Sequence, residues 1–224
     1  MIIDKKGCYL ETKADNSLFC LYKLCQIRYN KTTYERRWDE MDVSEKMKYK
    51  MSDKGIRLLT VGRLTYQKGY DVAVYALKEL VNHGFDVNWY ILGDGPEYQT
   101  LAALAVKEGI DSRFHLLGAV DNPYPYYKAA DIYVHATRFE GKSIAIQEAQ
   151  VLGCAIIASD CSGNREQIND GVDGILCGFT PAGIADGIEK LITNPALATK
   201  FRMASAEKQI NHLEELQNIY GMMR

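Results

Sequence analysis

The chain has 224 residues, 47% of them hydrophobic and 25% charged, with a formal net charge of -2 and a pI near 6.1. That is the composition of an ordinary globular protein with enough apolar material for a sizeable core, and it lacks the basic footprint of a nucleic-acid binder. No run of about 18 apolar residues encodes a membrane helix, and the start at Met1 has no charged region followed by an apolar one, as a signal peptide would. The six cysteines (Cys8, Cys20, Cys25, Cys154, Cys161 and Cys177) form no CxxC pair and no zinc-like spacing. They read as reduced thiols of a cytoplasmic protein.

In chain order, residues 1–53 are rich in Tyr, Lys and Arg and read as an irregular or partly helical lead-in, with a short amphipathic helix around Leu18 to Ile27. From residue 54 the pattern becomes regular. Arg57 to Val61 reads as a buried strand ending at Gly62, and Val72 to Val81 has helical apolar spacing that stops at Gly84. Val87 to Leu92 is the next strand and Tyr98 to Lys107 the next helix. Strands follow at Phe114 to Leu117 and Ile132 to His135, with a short helix to Ala130 between them. Ser143 to Leu152 reads as a helix, Ala155 to Ala158 and Gly174 to Cys177 as strands, and Pro181 to Thr193 and Ala196 to about Tyr220 as helices. Strands apolar on both faces and alternating with helices imply an α/β, Rossmann-like, doubly wound parallel sheet covered on both sides, over residues 54–224. Ligands of such sheets bind outside the carboxyl ends of the strands, so the loops there carry the chemistry.

The first loop is Gly62-Arg63-Leu64-Thr65-Tyr66-Gln67-Lys68-Gly69. Its two cations and a helix N-terminus suit a phosphate; taken alone they are equally two solvated cations beside a turn. The second, Gly93-Asp94-Gly95-Pro96-Glu97, has two glycines of a dinucleotide fingerprint but lacks the third, and Pro96 takes up the helix start. The third holds Glu140 in the loop after Ile132 to His135, and Glu148 about two turns into the helix that follows. Gly141 and Ser143 offer backbone N–H groups and a hydroxyl suited to an anion, and paired carboxylates suit sugar and ribose hydroxyls. The bland reading is a cap plus an exposed helix glutamate. Two further polar loops contain Gly163-x-x-Glu166 and Gly171-x-x-Gly174.

Taken in order, Gly62-Arg63 with Lys68-Gly69, Gly93-Asp94-Gly95-Pro96, Glu140 spaced by seven residues from Glu148-Ala149, Gly163-x-x-Glu166 and Gly171-x-x-Gly174 resemble the C-terminal, donor-binding domain of GT-B retaining glycosyltransferases of glycosyltransferase family 4. The resemblance covers about residues 55 to 195. It implies a glycosyltransferase domain, one half of a GT-B fold, that binds a nucleotide-diphosphate sugar, with UDP as the default. Glu140, Arg63 and Lys68 would be the catalytic set: Arg63 and Lys68 on the diphosphate, Glu140 beside the sugar. Gly62, Gly93, Gly95, Gly141, Lys142, Ser143 and Ile144 would line the donor site, and Glu148 would bind the ribose.

The resemblance implies no metal or other cofactor, because cations and a helix N-terminus can stabilise the departing diphosphate. The partners expected are the nucleotide sugar and a glycan or lipid-linked acceptor held by an N-terminal domain, with peripheral membrane association of the full enzyme in polysaccharide biosynthesis. The family commonly has an apolar or aromatic residue and a glycine where this chain has Lys142-Ser143, which leaves the sugar open. About 50 residues cannot supply an acceptor domain, so the isolated chain is expected to be a fragment or truncated product, inactive in transfer. The alternative is a catalytically incomplete donor-binding or regulatory module that needs a separate acceptor domain. A dinucleotide-dependent oxidoreductase fails on the glycine fingerprint and on the absence of an acidic residue ending the Val87 to Leu92 strand.

Overall fold

The computed structural model describes residues 2–3, 9–10, 51–52, 54–205 and 207. The chain divides into two units, Met1–Lys48 and Tyr49–Arg224. In the first, β1 (Ile2–Ile3) pairs antiparallel with β2 (Tyr9–Leu10). The helix expected around Leu18 to Ile27 lies outside the described residues.

The second unit is built on six strands: β3 (Ile56–Val61), β4 (Val87–Leu92), β5 (Phe114–Leu116), β6 (Ile132–His135), β7 (Ala155–Ser159) and β8 (Ile175–Cys177). They form one sheet in the order β5-β4-β3-β6-β7-β8, and every pairing is parallel. Counted from β3, that is the 3-2-1-4-5-6 order of a doubly wound dinucleotide-type sheet. The helices are α1 (Tyr70–Asn82), α2 (Tyr98–Lys107), α3 (Tyr124–Ala129), α4 (Ile144–Val151), α5 (Ser162–Arg165) and α6 (Pro181–Ile192).

Alternation along the strands divides the core in two. Leu58, Trp89, Ile91, Ile132, Val134, Ala155 and Ile157 point to one face and form a continuous cluster with Ala73, Leu77 and Leu80 of α1, Leu101 of α2 and Ile184 and Ile188 of α6. Leu59, Tyr90, Tyr133, His135 and Ile156 alternate with them and are also buried. A strand buried on both faces must satisfy any polar side chain it carries internally. Thr60 does so by donating to the Val134 carbonyl at 2.7 Å and accepting from Trp89 Nε1 at 2.9 Å.

The structure departs from the sequence reading in details. Pro96 lies in a turn ahead of α2, which starts at Tyr98 with Glu97 as its N-cap, so proline is not the first helical residue. The loop after β7 holds the short helix α5, where only a turn was expected. The last helix runs through 195–205 with Phe201 buried and Met203 exposed; its predicted continuation to about Tyr220 lies outside the described residues. Among the described residues no helix is long and apolar enough to cross a membrane.

Candidate functional site

The strand order reverses between β3 and β6, and the loops leaving their carboxyl ends meet at this switch point, where such sheets bind ligands in a crevice. Strand β3 delivers Gly62 to Gly69, and β6 delivers Ala136 to Ser143. Lys68 closes a 3-10 turn, Tyr66–Lys68, and its ammonium pairs across the crevice with Glu140 Oε2. The two side chains are 18% and 12% exposed, so the pair is shielded from bulk solvent while still open to a ligand.

The same Glu140 oxygen lies 3.1 Å from His135 Nε2. Burial raises the Glu140 carboxyl, but the hydrogen bond from His135 and the charge and hydrogen bond of Lys68 outweigh it and bring the pKa down to about 2. His135 is itself pulled below the ordinary histidine value, chiefly by burial and also by the Lys68 charge, against the opposing pull of Glu140. The site therefore brings a carboxylate with a depressed pKa, an ammonium side chain and a buried imidazole together.

Side chains lace the two loops together. Gln67 Nε2 donates to the Phe139 carbonyl at 3.0 Å, and Thr137 Oγ1 donates to the Gln67 carbonyl at 2.9 Å. Arg138 grips Asp71 at the start of α1 with two bonds of 2.9 and 2.6 Å, its guanidinium 3.9 Å from the centre of the Tyr66 ring. From behind, Gly163 lets α5 approach so closely that a Cβ there would lie 2.2 Å from the carbonyl oxygens of both Glu140 and Gly141. Gln167 then clamps the loop end, accepting from the Ser143 N–H at 2.6 Å and donating to its carbonyl at 2.9 Å.

The expected site residues divide into three groups. Lys68, Glu140 and Gly62 are brought together: a Cβ on Gly62 would sit 3.5 Å from Lys68 Cε. Arg63, Gly141, Lys142 and Ile144 are exposed around the crevice loops. Gly93 and Gly95 pack against the β3 loop, since a Cβ on Gly93 would fall 2.0 Å from the Gly62 carbonyl oxygen and one on Gly95 2.3 Å from that of Leu64.

The Ser143 N–H and hydroxyl oxygen are engaged within the protein. Ser143 is buried, its N–H goes to Gln167, and its hydroxyl caps α4 by accepting from the Ile146 N–H at 3.4 Å. Glu148 is half-buried in α4 and accepts from the Tyr127 hydroxyl at 3.2 Å. Among the described residues no three or more His, Cys, Asp or Glu side chains gather as a metal site would need.

The sequence reading passed over His135, Tyr133, Tyr127 and Gln67. A signal for the first two was present. Tyr133 and His135 alternate with Ile132 and Val134 in a strand buried on both faces, where each polar group demands a partner. Gln67 gave no signal, because its partners come from a loop about 70 residues away.

Comparison with known proteins places these features in context. The model of the family described as glycosyl transferases group 1 matches residues 43–208. The alpha-D-kanosaminyltransferase of Streptomyces kanamyceticus is 29% identical over 153 residues, covering 67% of this chain and 39% of that protein. The N-acetylgalactosamine-N,N'-diacetylbacillosaminyl-diphospho-undecaprenol 4-alpha-N-acetylgalactosaminyltransferase of Campylobacter jejuni is 30% identical over 155 residues, covering 69% and 40%. The solved structure of HepE from Anabaena in complex with UDP superposes with a TM-score of 0.69 at 20% identity, covering 75% of this chain and 48% of that one. The chain thus spans about 40% of the length of these curated relatives.

Proposed function

Because the chain belongs to the glycosyl transferases group 1 family, we propose that the crevice between β3 and β6 binds the diphosphate, sugar and ribose of a nucleotide-sugar donor, for a retaining transfer of the glycosyltransferase family 4 kind. The observation that carries this reading is the shielded Lys68–Glu140 pair at the switch point. A cation ready to exchange one anion for another suits an incoming diphosphate, and a carboxylate already ionised suits the hydroxyls of a sugar. Arg63 and the first turn of α4, near Gly141, Lys142 and Ile144, supply the remaining positive potential for the leaving nucleotide. In this reading no divalent cation is required. Glu148 takes the ribose hydroxyls.

UDP is the default nucleotide, a choice supported by the UDP carried by the HepE structure, and a hexose is the default sugar. A glycan or lipid-linked acceptor, as in the name of the Campylobacter relative, fits the same reading, with the acceptor site in a separate domain. Titration calorimetry of the chain with UDP in the presence of a chelator tests it: binding at micromolar to millimolar UDP without metal is expected. If UDP, GDP and ADP all fail to bind at millimolar concentration, the reading falls.

A further inference from the structure

Strand β6 buries two polar side chains to which the donor-binding reading gives no task. Tyr133 and His135 lie on the same face of the strand, 0% and 2% exposed. An ionised Glu140 has no proton to give, so the 3.1 Å contact requires His135 Nε2 to be the donor. A neutral imidazole has one N–H, and its Nδ1 is then an acceptor. The Tyr133 hydroxyl, 3.2 Å from Nδ1, is the matching donor.

The row continues inward. Tyr133 packs on Tyr127, their ring centres 5.3 Å apart, and the Tyr127 hydroxyl donates to Glu148 Oε2 at 3.2 Å. Lys68, Glu140, His135 and Tyr133 therefore form one hydrogen-bonded series, and the packed Tyr133 and Tyr127 rings carry it on to Glu148 of α4. His135, Tyr133 and Tyr127 are all buried.

We propose that His135 is a positioning residue for Glu140: backed by Tyr133, it holds the carboxylate in place for the donor sugar when Lys68 turns to the diphosphate. The proposal rests on the donor-site reading above. Lys68 is shared by two anions once a diphosphate arrives, and a carboxylate held by that cation alone would be free to move. A neutral N–H keeps the carboxylate aimed and leaves its negative charge uncancelled. An apolar residue at position 135 could do neither.

Two measurements on the full chain test this. The first is the imidazole nitrogen spectrum of the ligand-free protein, with the His135 signals assigned by their loss in His135→Gln. A neutral Nε2–H tautomer from pH 6 to 8 is expected, with the tautomers mixing in Tyr133→Phe. A protonated ring at pH 6, or the Nδ1–H tautomer, would overturn the proposal. The second is calorimetry with UDP and with UDP-glucose.

His135→Leu should weaken UDP-glucose about tenfold, the worth of one hydrogen bond to a charged group, and UDP less than about twofold. His135→Gln, whose amide can donate to Glu140, should recover part of the loss. Equal losses for the two ligands, or no recovery, would also overturn it. A wild-type chain that binds neither ligand would instead sink the donor-site reading, while the tautomer measurement would still decide what holds Glu140. Should His135→Leu not fold, Tyr133→Phe, which keeps the ring, carries the binding comparison.

Discussion

The loops leaving β4 and β6 lie on either side of the loop leaving β3, and both are short and polar. They are fixed in different ways. The β4 loop is held by main chain against main chain: the Leu64 N–H donates to the Asp94 carbonyl at 2.9 Å, the Glu97 N–H to the Leu64 carbonyl at 3.2 Å, and Gly93 and Gly95 allow the approach. The β6 loop is held largely by side chains, from Gln67, Thr137, Arg138, Lys68, His135 and Gln167. Contacts between backbones are made or lost with the shape of the chain. Contacts between side chains can be titrated, exchanged for a ligand, or removed singly. The difference makes one loop a fixed wall and the other an adjustable one.

The strongest way to break the comparison is at the wall. Gly93 has φ 145°, where L side chains are strained, and a Cβ there would stand 2.0 Å from the Gly62 carbonyl oxygen. Gly93→Ala should cost on the order of 3 kcal/mol or more, from backbone strain and overpacking together, read as a lower denaturation midpoint. A variant within 1 kcal/mol of the wild type, roughly the centre of ordinary substitutions, would mean the two loops part easily and the wall is not fixed.

This division also governs what the sequence made legible. The sheet, its parallel sense and the strand ends could be read, because apolar runs and glycine stops act locally: Val87 to Leu92 and Ile132 to His135 are read from the sequence with the bounds observed. Lys68 and Glu140 could be nominated as charged residues at strand-following loops, but their pairing could not, since 72 positions separate them. The glycines were visible while their task was not. That Gly93 and Gly95 pack against the β3 loop could not be read, nor that Gly163, read as part of a turn, sets how near α5 comes to Glu140. The bond from the Ser143 N–H to Gln167 could not be read either, because Gln167 comes from a distant segment.

The adjustable loop should respond at its cation first. Lys68→Ala is expected to weaken UDP binding by roughly 1.5–3 kcal/mol, the range for a charge-assisted hydrogen bond, measured by calorimetry at fixed ionic strength. Undiminished UDP affinity would assign the diphosphate to Arg63 and the helix N-terminus instead. Next comes pH. The Glu140 carboxyl is depressed to about 2 in the fold against roughly 4.3 in an unfolded chain. Its stabilisation is therefore fully present above the unfolded value and is lost as pH falls through about 2. The difference in unfolding free energy between wild type and Glu140→Gln should shrink by on the order of 2 kcal/mol between pH 6 and pH 2. A difference that stays constant would mean that Lys68 and His135 do not hold the carboxylate in solution.

The smallest expected effect separates the two ends of the crevice. Glu148 lies in α4 and accepts from the Tyr127 hydroxyl. If its carboxylate takes ribose hydroxyls, Glu148→Ala should weaken UDP by about 1–1.5 kcal/mol, the net worth of one hydrogen bond or somewhat more. Bare pyrophosphate has no ribose, and its affinity should hardly change. The competing expectation is as definite. Through Tyr127, Tyr133 and His135, the loss of Glu148 could instead loosen Glu140 and with it Lys68, in which case pyrophosphate and UDP would weaken by the same factor. Competition calorimetry with the two ligands distinguishes these outcomes, and equal losses would replace the ribose role of Glu148 with a supporting one behind the packed Tyr127 and Tyr133 rings.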